Sequence, residues 1–109
     1  MGTDCTMVIE RKDKELSSSE NELWDIVGVC HLPRYYALFD EIREKATCGY
    51  PPFINWLSTK ILDETEDWGE CYMDYSTWKL LCKLHEVKGY TYMKNSKKDT
   101  YRCIFRFDN

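Results

Sequence analysis

Near its end the chain reads Thr100-Tyr101-Arg102-Cys103-Ile104-Phe105-Arg106-Phe107. On an extended backbone Tyr101, Cys103, Phe105 and Phe107 share one face, opposite Arg102, Ile104 and Arg106, which is the two-residue period of a β-strand. A strand with so apolar a face needs a second layer to bury it.

Working outward, the first segment repeats that period. From Asp4 to Arg11, Cys5, Met7 and Ile9 fall on one face and Thr6, Val8 and Glu10 on the other. Lys12 to Asn21 is polar, holds Ser17-Ser18-Ser19, and reads as a loop. Leu23 to Cys30, rich in Val and Ile, reads as a second strand paired with the first in an antiparallel hairpin. Pro33 opens a helix, a position where its missing N–H costs nothing. Tyr35, Leu38, Phe39 and Ile42 then form one apolar stripe at i, i+3, i+4 and i+7. Gly49-Tyr50-Pro51-Pro52 ends this helix and leads to a short second one, with Phe53, Trp56 and Leu57 expected inward. Asp63 to Glu70 is acidic and reads as a surface loop. Asp74 or Ser76 caps a third helix carrying Trp78, Leu81, Cys82 and His85 on one face. Tyr90 to Met93, a turn at Asn95-Ser96-Lys97-Lys98 and the opening strand complete the pattern. The expectation is an α+β fold in one domain over residues 1–109: an antiparallel sheet of about four strands with two or three helices packed on one face.

Composition supports a folded core. The chain has 109 residues, 43% of them hydrophobic and 15% aromatic, enough apolar surface to argue against disorder. Its net charge of −4, from 19 acidic and 15 basic residues, argues against non-specific nucleic-acid binding, which needs clustered cations. It is too small for a mimic of DNA. No stretch has the length to cross a membrane, and no basic-then-apolar leader is visible at the start. The six cysteines, Cys5, Cys30, Cys48, Cys71, Cys82 and Cys103, never form Cys-x-x-Cys and sit largely at apolar positions. They read as free thiols in a cytoplasmic protein. The two histidines cannot make a His-rich metal site, and no Gly-x-Ser-x-Gly, Gly-rich phosphate loop or paired-His motif occurs. No metal, cofactor or catalytic residue is expected, and the reading leans away from an enzyme.

Several stretches together resemble a family of small, uncharacterised bacteriophage and prophage accessory proteins. Met1-Gly2-Thr3-Asp4 matches the family's opening, Arg34-Tyr35-Tyr36-Ala37-Leu38-Phe39 its Arg-x-Tyr-x-Leu-Phe helix, and Phe107-Asp108-Asn109 its ending. Gly49-Tyr50-Pro51 stands where the family has Gly-Leu-Pro, and Thr77-Trp78 where it has Ser-Trp. The early His of the family is Thr6 here, another His is Asp74, and an Arg is Cys48. The resemblance implies a phage-encoded cytoplasmic protein without a settled activity, and those replacements speak against His-based chemistry.

Six residues are candidates for a binding site. Arg34, read into the first turn of a helix, carries a charge opposed by the helix dipole. It would grip a carboxylate or phosphate, or else pair with Asp4 or Asp108. His31, at the strand–helix junction, would assist anion binding there, unless it is an ordinary hydrogen-bonded histidine. Tyr36 and Trp68 offer flat faces for a base, as does Trp78 if it is not simply core. Asp4 completes the set. Two functions follow as expectations. One is a counter-defence protein, expected as a homo-oligomer, that sequesters a small anionic nucleotide-type signal without turnover. The other is an inhibitor that docks on a host enzyme or defence protein through Asp63 to Glu70 and Trp68. An enzyme degrading a nucleotide signal stands third.

Overall fold

The computed structural model describes residues 4–13, 24–62, 70–90 and 99–108. Among them the elements run β1 (Asp4–Asp13), β2 (Asp25–Leu32), α1 (Tyr36–Lys45), β3 (Thr47–Cys48), α2 (Trp56–Leu62), β4 (Glu70–Asp74), α3 (Tyr75–Leu84) and β5 (Asp99–Asp108). The strands form one sheet in the order β2-β1-β5-β4-β3, and every neighbouring pair is antiparallel. The fold is α+β, with five strands where the sequence suggested about four.

The alternation that opened the sequence reading sets the two faces. Register pairs Cys5 with Phe107, Met7 with Phe105 and Ile9 with Cys103, so these side chains share a side of the sheet. Cys71 and Met73 of β4 join them. Helices α1 and α3 cover that face with Leu38, Phe39, Ile42, Tyr75, Trp78, Leu81 and Cys82, all buried. Phe39 meets Phe107 edge-on at 5.2 Å between ring centroids, and Trp78 tilts over Phe105 at 5.3 Å. Each fully buried Phe is worth about 1.5–3 kcal/mol, and the edge and tilted geometries suit the ring quadrupoles.

The opposite face is not left to solvent. Val8 pairs with Ile104, and Leu62 of α2 buries both, with Ile26, Ile54, Ile61 and Tyr72 around them. Two helices therefore share one face, as expected, and the shortest lies on the other. On its face Val8 is flanked by Thr6 and Glu10, and Ile104 by Arg102 and Arg106, a pattern that reads as half-exposed in sequence.

Several expectations change. The helix read from Pro33 begins at Tyr36, because the Tyr35 N–H bonds the Pro33 carbonyl at 2.7 Å in a tight turn around Arg34. That three-residue turn is incompatible with helical backbone. Phe53, Trp56 and Leu57, expected inward, are 57%, 67% and 54% exposed; the side of α2 that meets the sheet is Ser58 and Leu62, one turn apart. Residues 70–74, read as loop end and cap, form β4, while Tyr90, read as a strand start, lies outside any strand. Lys12 and Asp13, read as the start of a loop, continue β1, while the loops expected over residues 14–21 and 63–69, the strand over 91–93 and the turn at 95–98 lie outside the described residues.

Candidate functional site

The buried face under α2 holds an ion pair. Glu10, fully buried, sits opposite Arg102 on the neighbouring strand. Arg102 Nε donates to Glu10 Oε1 at 2.8 Å. Its Nη2 lies 2.7 Å from the same oxygen, an ion-pair contact rather than an aligned hydrogen bond. The other oxygen, Oε2, accepts from the Ser58 hydroxyl at 2.5 Å and from the Asn55 backbone N–H at 3.1 Å. Arg102 Nη1 donates to the Pro52 carbonyl at 2.9 Å, and its guanidinium lies 3.8 Å from the Trp24 ring centroid. Asn55 Nδ2 reaches the Trp24 carbonyl at 2.7 Å. Burial pulls the Arg102 pKa down, and the Glu10 carboxylate works against that fall.

Every one of those bonds to residues 52–58 comes from the sheet or from the segment entering β2. They fix the backbone that carries Phe53, Trp56 and Leu57, whose side chains point away from the sheet. Asn55 closes the arrangement by accepting the Leu57 N–H at 2.8 Å. Phe53 has φ +55°, a left-handed conformation that costs an aromatic residue free energy and persists only where its surroundings hold it. Trp56 is flanked by Lys60, whose Nζ lies 5.1 Å from the ring centroid. Lys12 approaches Trp24 at 5.9 Å. An apolar ridge, with Lys60 over Trp56, thus stands on a segment hydrogen-bonded to the sheet below it.

The residues singled out in sequence are placed differently. His31 is exposed on β2, opposite Thr6, with Nδ1 3.2 Å from the Thr6 hydroxyl. Arg34 is exposed in the turn before α1, and Tyr36 is half exposed at its first position. Arg34 therefore precedes the helix, and the argument from a charge set against the helix dipole falls. These three lie within six residues of one another in sequence. A concavity at the end of α3, lined by Cys82, Lys83, Glu86, Val87 and Lys88, includes none of them. Trp78 is core: it is wholly buried, and its Nε1 donates to the Tyr90 carbonyl at 3.0 Å. A ring with no exposed face cannot stack on a ligand. Asp4 pairs with Asp108 in the β1–β5 ladder, but its side chain lies outside the described residues, as does Trp68. His85 closes α3 beside α1, with Nε2 2.9 Å from Glu41 Oε1.

All six cysteines are free. Cys5, Cys71, Cys82 and Cys103 are buried, Cys30 is half-buried, and Cys48 is exposed. Among the described residues no three His, Cys, Asp or Glu side chains gather to hold a metal ion. No helix described is long and apolar enough to cross a membrane.

Compared with family models, with curated proteins and with solved structures, the chain matches none. The arrangement around α2 must carry the function by itself. It can present a fixed apolar surface, and the ridge of Phe53, Trp56 and Leu57 is what sequence reasoning missed. The signal lay in Glu10 and Arg102, opposite charges at equivalent depths of two strands that a hydrophobic alternation left facing outward.

Proposed function

We propose that this chain is a protein-binding module whose docking element is the ridge of Phe53, Trp56 and Leu57. The observation that carries the reading is the contrast between side chains and backbone: three large apolar side chains, each more than half exposed, stand on a segment tied down by a buried ion pair. Exposed aromatic anchors dominate interface energetics, and a preformed backbone lowers the entropy lost on association. Strain at Phe53 fits the same purpose, since strained residues gather where function needs a particular presentation. Lys60, over the Trp56 ring, adds a positive charge to the ridge on a chain of net charge −4. The partner is accordingly a protein with an apolar cleft rimmed by carboxylates. The resemblance to phage and prophage accessory proteins would make it a host protein, with the chain acting as an inhibitor by occlusion.

A photo-crosslinking residue placed at position 57, with position 83 on α3 as control, tests this in extract of the cell that carries the gene. One saturable adduct from position 57, absent from position 83 and lost in Trp56→Ala and Lys60→Glu, is the expected result. Phe53→Asn, which tolerates positive φ, should weaken the adduct at least tenfold while leaving the melting temperature unchanged or higher. Equal labelling from both positions would overturn the reading, and an adduct between two copies of this chain would identify the partner as itself.

A second reading keeps the nucleotide-type ligand. It rests on the exposed His31, Arg34 and Tyr36, which lie within six residues of one another in sequence and carry groups suited to a phosphate and a base. Thermal unfolding against cyclic dinucleotides, cyclic trinucleotides and ADP-ribose derivatives tests it. Ligand at 100 times its Kd stabilises by about 2.7 kcal/mol, a rise of roughly 10 °C for a domain this size. The rise should vanish in Arg34→Ala, and no rise with any compound leaves the docking reading alone.

A further inference from the structure

Strand β3 is two residues long, and its register places Thr47 opposite Tyr72 and Cys48 opposite Cys71 on β4. The next rung is Gly49 with Glu70, where the Gly49 N–H donates to the Glu70 carbonyl at 2.7 Å. Hydrogen-bonded and non-hydrogen-bonded rungs alternate in an antiparallel pair, so the Cys48–Cys71 rung is of the second kind. There the facing Cα atoms approach to about 4.5 Å and the side chains are closest. A disulfide accepts Cα separations of about 4.4–6.8 Å. The two thiols also leave the same side of the sheet, as facing residues do. No other cysteine has this arrangement in the ladders: Cys5 faces Leu32 and Phe107, Cys30 faces Met7, and Cys103 faces Ile9 and Met73.

We propose that Cys48 and Cys71 form a redox-modification site, a cross-strand dithiol that glutathione disulfide converts into an intramolecular disulfide.

The two sulfurs have different roles because their surroundings differ. Cys48 is exposed and open to a bulky reagent, whereas Cys71 is buried within the core cluster beneath α1 and α3. The Cys48 thiolate attacks one sulfur of glutathione disulfide, breaking that S–S bond and releasing one glutathione. The Cys71 thiol gives up its proton and attacks Cys48 Sγ, releasing the second glutathione. Two protein thiols are oxidised, and one glutathione disulfide is reduced to two thiols. Burial, with the neighbouring Cys48 and Glu70 adding to it and Arg43 opposing, pushes the Cys71 pKa up to about 12. The first step alone is therefore open to bulk reagent, and closure is slower at neutral pH than at alkaline pH.

The closed bond would link the last residue of β3 to the second residue of β4. Everything between them, including α2 and the exposed ridge, would lie in one covalent loop. A loop of this length constrains the unfolded chain considerably. The site stands whether or not the ridge binds a partner.

The test uses the full chain equilibrated in glutathione buffers of rising disulfide fraction, trapped with an alkylating agent, and read by intact mass and peptide mapping. The expected product has lost two hydrogens, carries one bridge joining the Cys48 and Cys71 peptides, and melts roughly 10 °C above the reduced form. Cys71→Ala should stop at a stable glutathione adduct on Cys48. Cys48→Ser, a change at an exposed position, should fold as the parent chain and form no bridge in any buffer. Should Cys71→Ala fail to fold, Cys48→Ser with the peptide map still decides. A bridge through any other cysteine, a parent chain that stops at the mixed disulfide, or six alkylated thiols in every buffer would overturn the proposal.

Discussion

At the scale of single residues, Glu10 and Arg102 set the terms for half of the molecule. A carboxylate with no exposed surface is tolerable only because a guanidinium, a hydroxyl and a backbone N–H all point at it. Removing one partner leaves the other buried and uncompensated, which costs about 3–5 kcal/mol. Glu10→Ala and Arg102→Ala should each fall in that range by urea denaturation. Glu10→Leu with Arg102→Met should cost less than either single change, because apolar replacement of a whole buried pair is often close to neutral. A double variant as damaged as the sum of the singles would show that the two do not act as a pair. Such a pair is half legible in sequence. Alternation put both residues on the face away from the main core, which is correct. It could not show that a seven-residue helix covers that face, since α2 announces itself through Ser58 and Leu62 and not through its more conspicuous aromatics.

Among the elements, α3 begins at a carboxylate held by hydroxyls of its own first turn. Asp74, the last residue of β4, is also the N-cap of α3. Its carboxylate accepts the Thr77 hydroxyl at 2.7 Å and a short bond from the Ser76 hydroxyl. Those bonds hold its pKa below the ordinary carboxylate value. The folded state thus binds a proton at this site less readily than the unfolded state. The stabilisation is present in full above the ordinary carboxylate range and is lost as pH falls through the lowered value. In Asp74→Asn that component disappears, so unfolding free energy should fall less steeply between about pH 5 and pH 2 than in the parent chain. Equal slopes by denaturant titration across that range would mean the cap is not ionised in the folded protein. The cap and the stripe of Trp78, Leu81 and Cys82 were readable because capping and helical period agree there. Strand β4 was not: five residues, Glu70–Asp74, running straight into a helix leave too short an alternation, and Cys71-Tyr72-Met73 reads equally well as helix. The start of α1 was misplaced for a different reason. Pro33 satisfies the rule for a first helical position, but the turn at Arg34 takes the chain elsewhere before the helix begins.

For the molecule as a whole, the decisive feature is that the first strand and the last lie side by side at the middle of the sheet. The β1–β5 ladder runs from Asp4 opposite Asp108 to Asp13 opposite Asp99, and β5 alone joins the β2–β1 pair to the β4–β3 pair. Both faces depend on it, because Phe105 and Phe107 face α1 and α3 while Arg102 and Ile104 face α2. No native sheet can close until nearly the entire chain is available, and contacts of such long sequence separation make folding slow compared with a helical domain. A chain ending at Lys98 should therefore show no cooperative thermal transition and no dispersed amide spectrum, although α1, α2 and α3 are all retained. A synthetic peptide of residues 99–109 added in excess should restore both signals, because it supplies the missing central strand without needing a covalent link. A truncated chain that melts cooperatively by itself would mean the helices and the β1–β2 hairpin form a stable core without β5. That outcome would contradict a topology in which every layer meets the others through the final strand.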